Sequence, residues 1–374
     1  MASIANLDAL VAKAQAHLGA GRLAAAEETC HRLLSVLPDH PAGLMILCIV
    51  WLRQGNVADA ELLLDRGATL YPTVAGFHST LARVRLQLGK IAQAMEPLEA
   101  CVLLEVEARD QANDQASNQA SNDAREHRLS LAAVYQTRLF ASFSPQSKRA
   151  MSACLADDAL AHSLMNKAWL SLLRLDPEAA PLLKIFASDS YESFAAAMTP
   201  ALLSDWEAND FLNAGLARFL VADPAIERGL MFTRRWFFQR LYSPNAATTP
   251  NAAEVDDFLP LLCTLARYCF HTEYVFDATE DWKGLSAHVT TAARAALLGC
   301  YQPLFRCALV HSGAGRLAAL STLSPHPGFQ DLIRIQVTEP LAEIALEPTI
   351  PALGSIDDDV SRAVRRQYEE NPYP

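Results

Sequence analysis

One short turn occurs three times near the start of the chain: Leu18-Gly-Ala-Gly-Arg-Leu23, Leu52-Arg-Gln-Gly-Asn-Val57 and Leu86-Gln-Leu-Gly-Lys-Ile91. Its glycines stand at positions 21, 55 and 89, a constant step of 34 residues. Glycine adopts at little cost the left-handed conformation that ends many helices. The repeated turn therefore predicts three helix–turn–helix units of one design.

Other positions share this period and indicate how the helices pack. Small residues recur at two of them, Ala14/Cys48/Ala82 and Ala26/Ala60/Ala94, and proline recurs at Pro38 and Pro72, with Val106 in the third unit. Small side chains let two helices cross closely, and proline stops a helix. We expect helices near 7–20, 23–36, 41–54, 57–70, 75–88 and 91–106.

A repeat of 34 residues with this pattern resembles the tetratricopeptide repeat family. The resemblance covers about residues 6–106 and implies a superhelical stack whose concave side, lined by the first helix of each unit, binds peptides or helices of other proteins. The best-known peptide-binding members hold the C-terminal carboxylate of a peptide with Lys and Asn side chains. The matching positions here are Val11, Gln15, Met45, Ile49, Ser79 and Arg83, so this class of ligand is not expected. Candidate groove residues are Gln15, Arg53, Arg83 and Gln87. The alternative is that these four side chains only form solvated helix faces.

The rest of the chain is also expected to be helical, which makes the protein all-α. Residues 109–127 contain no large apolar residue, and they predict a loop or exposed helix extension at a domain boundary. We divide the chain into a repeat domain (1–108), this linker (109–127), a helical domain (128–346) and a tail (347–374). In the helical domain we expect helices at 129–140, 158–175, 179–186, 204–221, 225–242, 254–270, 290–310 and 328–346, and 333–337 is the only short strand candidate.

Two segments of the helical domain contain residue types that could bind a ligand or act chemically. The aromatic helix at 225–242 includes Trp236, and the segment 261–276 includes His271, Glu273 and Tyr274. Core packing is the favoured interpretation, because His271 and Glu273 are two positions apart and do not face each other on a helix. The glycines in 311–315 are expected to form a turn between helices, because no strand precedes them.

The end of the sequence adds a second resemblance. Val364-Arg-Arg-Gln-Tyr-Glu-Glu-Asn-Pro-Tyr-Pro374 resembles the junction in bacterial proteins that join tetratricopeptide repeats, a helical middle domain and a class I S-adenosylmethionine-dependent methyltransferase. Ala266-Arg-Tyr-Cys-Phe-His-Thr-Glu-Tyr-Val-Phe276 is similar to that middle domain. The resemblance implies that the catalytic domain follows the junction. We therefore expect this chain to be the non-catalytic part, with no cofactor of its own, or a stand-alone relative of it.

The tail itself is expected to form a short helix that ends at Tyr368. Aspartates at 357–359 can cap it, and Val360, Val364 and Tyr368 form an apolar stripe. This stripe could dock on a partner or pair two copies of the chain.

Charge and cysteine content exclude several classes of function. The formal net charge is −11, which disfavours binding to nucleic acid or to anionic lipid. None of the eight cysteines forms a CxxC pair, and most lie in apolar helical patterns, so we expect buried thiols and no metal site. The first residues lack the basic and apolar regions of a secretory signal, and we expect a cytoplasmic protein.

Three functions remain open from the sequence. The first is a module that binds a protein or peptide, for instance the substrate of an associated methyltransferase. The second is an enzyme with a site around Trp236, His271, Glu273 and Tyr274. The third is a dimerisation scaffold whose tail helix pairs between two chains.

Overall fold

The computed structural model describes residues 4–111, 118–242, 257–276, 278–307, 320–349 and 358–370. Within these ranges the regular secondary structure is entirely helical, as predicted, and contains no β-strand. The chain divides into two compact units, Met1–Thr233 and Arg234–Pro374. This division differs from the boundary that the sequence suggests at 109–127.

Six helices begin the first unit, and each packs against the next. They are α1 (Ile4–Gly19), α2 (Leu23–Val36), α3 (Pro41–Gln54), α4 (Val57–Leu70), α5 (Ala75–Gln87) and α6 (Ile91–Gln111). The structure confirms all six predicted helices, although α1 starts three residues earlier and α6 ends five residues later than the pattern indicates.

The three repeated turns have one backbone geometry. Gly21, Gly55 and Gly89 have φ angles of 70°, 88° and 70°. At the second turn the amide of Gly55 donates to the carbonyl of Leu52, and the amide of Asn56 donates to that of Trp51 at 2.9 Å. Equivalent pairs of hydrogen bonds form at the other two turns. Each glycine thus satisfies carbonyls at a helix end that would otherwise lack a partner.

Replacing Gly55 by alanine is expected to destabilise the protein by about 1 kcal/mol, because a side chain disfavours the left-handed conformation. Gly19→Ala is the matched control: Gly19 is not left-handed, and no atom lies within 4 Å of an added Cβ. Urea unfolding of the two variants measures the difference. Equal stability of the two variants would contradict this account of the turn.

Small side chains fill the helix crossings of this region. Ala26, Ala60 and Ala94 are fully buried, and so are the small residues at positions 14, 48 and 82. Gly67 on α4 extends the pattern, because a Cβ there would lie 2.3 Å from Cε1 of Phe77 on α5. The small residues at these positions therefore allow adjacent helices to approach closely.

Part of the predicted linker is helical. The helix α7 (Asn118–Gln136) packs against α6, and residues 112–117 lie outside the described ranges. Tyr135 of α7 is buried and donates its hydroxyl to Oε1 of Glu99 at 2.9 Å. Nδ1 of His127 lies 2.5 Å from Oε1 of Glu105. The polar composition of 109–127 does not predict a packed helix there, because the apolar residues that hold α7 in place lie mainly in its second half.

The first unit continues through seven more helices and a 3₁₀ turn. These are α8 (Pro145–Leu155), a 3₁₀ turn (His162–Met165), α9 (Asn166–Leu173), α10 (Ala180–Phe186), α11 (Tyr191–Ala197), α12 (Pro200–Glu207), α13 (Asp210–Arg218) and α14 (Pro224–Leu241), whose second half belongs to the second unit.

The prediction of a single helix at 204–221 is wrong. Asn209 interrupts it, and its side chain accepts from the amide of Leu212 at 2.9 Å and caps α13.

The helix predicted at 158–175 is likewise shorter. Residues 162–165 form the 3₁₀ turn, and α9 starts only at Asn166. The helix expected at 129–140 instead ends with α7 at Gln136.

The second unit contains α15 (Leu259–His271), α16 (Ala292–Gly299), α17 (Pro327–Ile333), α18 (Glu339–Leu346), α19 (Asp359–Glu370) and the 3₁₀ turns Lys283–His288, Leu304–Arg306 and Glu347–Thr349. The strand candidate at 333–337 is wrong, because a π-helical turn, Arg334–Thr338, joins α17 to α18. The helix expected at 290–310 ends at Gly299, with 308–310 outside the described residues. The glycine turn at 311–315 also lies outside them.

The π-turn positions one buried amide side chain. Nε2 of Gln336 donates to the carbonyls of Ala266 at 2.9 Å and Gly299 at 3.1 Å, and Oε1 accepts from the amide of Leu304. One glutamine thereby joins three segments of the second unit. π-helical turns are rare in proteins and are often found at functional sites.

All eight cysteines are buried and unpaired, as predicted. No helix in the described part of the chain is both long enough and apolar enough to cross a membrane.

Candidate functional site

The groove candidates lie on the first helices of the repeated pairs. Gln15, Arg53, Arg83 and Gln87 are all exposed, on α1, α3 and α5. Nη1 of Arg53 donates to the carbonyl of Leu18, which links α3 to the end of α1. Arg83 and Gln87 are one helical turn apart on α5, so their side chains share a face. The structure thus leaves these polar groups accessible to a ligand.

The candidates in the second unit have different surroundings. Trp236 is buried and packs edge-to-face against Phe237 and Phe258, with the guanidinium of Arg240 3.9 Å from its ring centroid. The hydroxyl of Tyr274 donates to the carbonyl of Gly299 at 3.1 Å, and burial raises its pKa. These two side chains have packing partners that account for their positions.

His271 is the last residue of α15, and Glu273 lies in the turn that follows it. Both are exposed, and Glu273 and Tyr274 have φ angles of 52° and 57°. The amide of Tyr274 donates to the carbonyl of Cys269 at 3.0 Å and closes the turn. Two consecutive left-handed residues other than glycine are unusual. This turn directs the Tyr274 ring inward and leaves the Glu273 side chain exposed.

A buried polar cluster in the second unit was not singled out from the sequence. The guanidinium of Arg234 lies 4.6 Å from the centroid of the Tyr301 ring. The hydrogen bond from the Cys300 thiol lowers the pKa of Cys269 despite burial, and Arg234 adds to this effect, while burial raises the pKa of Cys300. No group of three or more His, Cys, Asp or Glu side chains that could hold a metal occurs among the described residues.

The first unit contains a cleft of about 900 Å³ between α6, α7, α8 and the start of α13. Five basic side chains line it: Arg109, Arg125, Arg128, Lys148 and Arg149. Leu103 and Val106 supply apolar surface, and Phe211, which is almost fully buried, lies behind it. No sequence motif marked this cleft, because its basic residues come from three helices and follow no common spacing.

Ion pairs engage three of the basic side chains. Nη1 of Arg128 lies 3.2 Å from Oδ2 of Asp157, and Nη2 of Arg149 lies 3.2 Å from Oε1 of Glu107. Nζ of Lys148 contacts two carboxylates, Oδ2 of Asp176 at 2.8 Å and Oε2 of Glu178 at 2.5 Å. Burial alone would lower the pKa of Lys148, but the two carboxylates raise it above the ordinary value.

The other two arginines of the cleft differ from these. Arg109 and Arg125 are exposed, and neither forms an ion pair with an acidic side chain in the described ranges. The cleft therefore presents two guanidinium groups whose charge the described protein does not neutralise.

A smaller cleft of about 480 Å³ lies beside α4, α5 and α6. Arg85, on its wall, forms ion pairs with Glu61 and Asp65, and Nζ of Lys90 lies 2.5 Å from Oε2 of Glu61. The bond from Lys90, with that from Arg85, lowers the pKa of Glu61. In this network two basic side chains pair with two carboxylates.

Comparison with models of protein families finds no matching family, and comparison with curated proteins finds no similar sequence.

Proposed function

We propose that the chain is a protein-binding module whose helices α1–α6 form a tetratricopeptide-type repeat. The observation that carries the proposal is the shared geometry of the three turns. Gly21, Gly55 and Gly89 all have positive φ angles, and each lies in the turn between the two helices of a pair. Stacked helical pairs of this kind create an extended surface suited to a peptide or helix.

The exposed polar side chains on α1, α3 and α5 are the proposed contact residues. Gln15 and Gln87 can hydrogen-bond a peptide backbone, and Arg53 and Arg83 can bind carbonyl or carboxylate oxygens. The Lys and Asn pair that holds a peptide carboxylate in some repeat proteins has no counterpart at the matching positions. The proposed ligand is therefore an internal segment or helix of a protein.

The resemblance at 266–276 and 364–374 supports a further proposal about the process served. In this proposal the bound protein is the substrate of an S-adenosylmethionine-dependent methyltransferase, whose catalytic domain belongs to another region or another chain. Residues 371–374 lie outside the described ranges, and residues 266–271 form the end of α15. An enzymatic site within this chain is less favoured, because packing explains both Trp236 and Tyr274.

Capture of partner proteins tests the proposed function. The immobilised full chain is incubated with an extract of the cells that express it, alongside R53E/R83E and a control, R22E/R32E. We expect R53E/R83E to retain the specific partner at least about tenfold less well, since a few contacts carry most of the binding energy. Arg22 and Arg32 are also exposed, so the control makes the same charge change elsewhere.

Quantitative mass spectrometry of the retained proteins gives the readout, with circular dichroism to verify that each variant is folded. If both double variants retain the same proteins as the wild type, the proposed surface is wrong.

Dimerisation through the tail is the second candidate function. The helix α19 is exposed at every position from 358 to 367, including Val360 and Val364 on one face. Its start is capped, since Oδ1 of Asp358 accepts from the amide of Ser361 at 2.7 Å. A capped helix with an exposed apolar face is suited to pairing with a second copy.

A further inference from the structure

The cleft between α6, α7, α8 and α13 has the dimensions of a ligand site. Its volume of about 900 Å³ falls within the range of roughly 300–1,000 Å³ that is usual for ligand pockets. Leu103 and Val106 are partly exposed and provide an apolar part, and the other lining side chains are mostly charged or polar. This combination suits a ligand with both apolar and charged groups.

The charges of the cleft are unequally compensated. Its carboxylates mostly have partners: Asp157 pairs with Arg128, Asp158 with Arg218 and Glu178 with Lys148. As described above, the guanidinium groups of Arg109 and Arg125 have no such partner in the described ranges. Asp210 also lines the cleft and forms no ion pair in the described ranges, so the unpaired charges there are two guanidinium groups and one carboxylate. This excess of unpaired positive groups occurs in a chain whose formal net charge is −11.

Arg128 gives a second, independent indication of a missing acceptor. The residue is only 7% exposed and lies in the cleft wall. Its Nη1 donates to Asp157, but its Nε has no hydrogen-bond partner among the described residues. A buried donor without an acceptor costs free energy. A ligand with a negative group that accepts a hydrogen bond from this donor would remove that cost, which would strengthen its binding.

We propose that this cleft binds an acidic peptide segment of the partner protein. Carboxylates of the peptide pair with Arg109 and Arg125, and an apolar side chain contacts Leu103 and Val106. Arginine suits this role because its planar guanidinium binds a carboxylate through two parallel hydrogen bonds. The inference rests on the proposed function, since it specifies the chemistry of the partner.

A nucleic acid fits the same cleft less well. A phosphate backbone carries closely spaced negative charges, and binding it requires a continuous basic surface. Four carboxylates, Asp157, Asp158, Glu178 and Asp210, also line this cleft, so its basic surface is not continuous. A peptide can place single carboxylates against single arginines and avoid these acidic groups.

Fluorescence anisotropy with the full chain tests this inference directly. The probe is a fluorescein-labelled peptide in which glutamate alternates with leucine and phenylalanine. We expect R109E/R125E to weaken probe binding roughly tenfold or more, and R22E/R32E about twofold or less, because exposed charges act mainly at short range. Rising salt should weaken binding by the wild type and have less effect on R109E/R125E.

Several outcomes would overturn the inference. If R109E/R125E and R22E/R32E weaken probe binding equally, binding depends only on the total charge of the protein. Tighter binding of a single-stranded oligonucleotide with the same number of charges would indicate a nucleic-acid site instead. Loss of probe binding in R53E/R83E to the same extent as in R109E/R125E would assign the peptide to the other surface.

The same variants separate this inference from the proposed function. If R53E/R83E binds the probe normally, the cleft acts independently of the α1, α3 and α5 surface, whatever happens to partner capture. If R109E/R125E loses the probe but R53E/R83E captures the partner as the wild type does, the cleft is supported and the proposed surface fails.

Discussion

Replacing Lys148 by methionine is expected to lower the free energy of unfolding by about 3–5 kcal/mol, because it leaves a buried carboxylate without its counter-charge. Asp176 is fully buried, and Nζ of Lys148 lies 2.8 Å from its Oδ2. Methionine keeps most of the volume of the lysine stem, so the lost charge dominates the effect. Urea unfolding followed by circular dichroism measures the change.

The neighbouring residue provides a matched control. Arg149 also lines the cleft and forms an ion pair, but its side chain is 61% exposed and its partner Glu107 is 51% exposed. Arg149→Met should therefore cost about 0–1 kcal/mol. The double variant K148M/D176N should recover part of the loss, since the buried charge is then removed. Equal losses for K148M and R149M would refute the assigned role of Asp176.

The direction of the pKa shift fixes the pH range of this stabilisation. Asp176 and Glu178 raise the pKa of Lys148 in the folded protein above its ordinary value of 10.5. A raised lysine pKa stabilises the fold below the unfolded-state value, and the contribution is lost as the pH rises through the folded-state value. The difference between K148M and the wild type should thus persist at neutral pH and shrink in strongly alkaline solution.

These roles also determine which residues are useful for testing the cleft. A variant of Lys148 would lose stability together with any ligand contact, so its binding defect could not be interpreted. Arg109 and Arg125 are exposed and form no ion pair with the described acidic residues, so their replacement should leave the fold intact. The cleft thus contains basic residues that support the fold and others that are available to a ligand.

The first six helices could be predicted from the sequence because their constraints are local and repeated. A left-handed glycine such as Gly55 ends one helix, and a small residue such as Ala60 follows at the next crossing. Each feature recurs every 34 residues. A chance residue in one unit therefore does not mislead the prediction, because the other two units give the same position independently. The helix boundaries were correspondingly accurate at both ends of α2, α3 and α4.

Later elements depend on contacts that are distant in the sequence. Gln336 of the π-turn at 334–338 donates to the carbonyls of Ala266 and Gly299, and no local sequence pattern predicts these contacts. The cleft was missed for the same reason. Arg109, Arg125 and Lys148 lie in one wall only because α6, α7 and α8 pack together, and their spacing along the chain carries no signal.

Replacing Gly215 by alanine is expected to destabilise the protein by up to about 3 kcal/mol, because the added methyl group overpacks the core. A Cβ at this position of α13 would lie 2.0 Å from Cε2 and 2.1 Å from Cζ2 of Trp169. The indole has little room to move. It is fully buried, its centroid lies 5.2 Å from that of Phe219, and its Nε1 donates to the carbonyl of Phe211 at 3.1 Å.

Gly76 on α5 makes the comparison specific, because it is also a helical glycine but is exposed. The nearest atom to a Cβ there is Cε of Met45 at 3.4 Å, an ordinary contact. Gly76→Ala should stabilise the protein by about 0.5–1 kcal/mol through helix propensity, so one substitution has opposite signs at the two sites. Differential urea unfolding measures both variants.

A second substitution tests whether the Trp169 ring is the cause. Leucine at position 169 lacks the atoms that meet the new methyl group, so W169L/G215A should be less destabilised than the sum of the two single variants. Strict additivity would place the strain of G215A elsewhere in α13. Because Trp169 holds the backbone of Phe211, which lines the cleft, G215A should also weaken binding of the acidic probe. R109E/R125E should instead weaken binding without loss of stability, which separates damage to the cleft wall from loss of its charge.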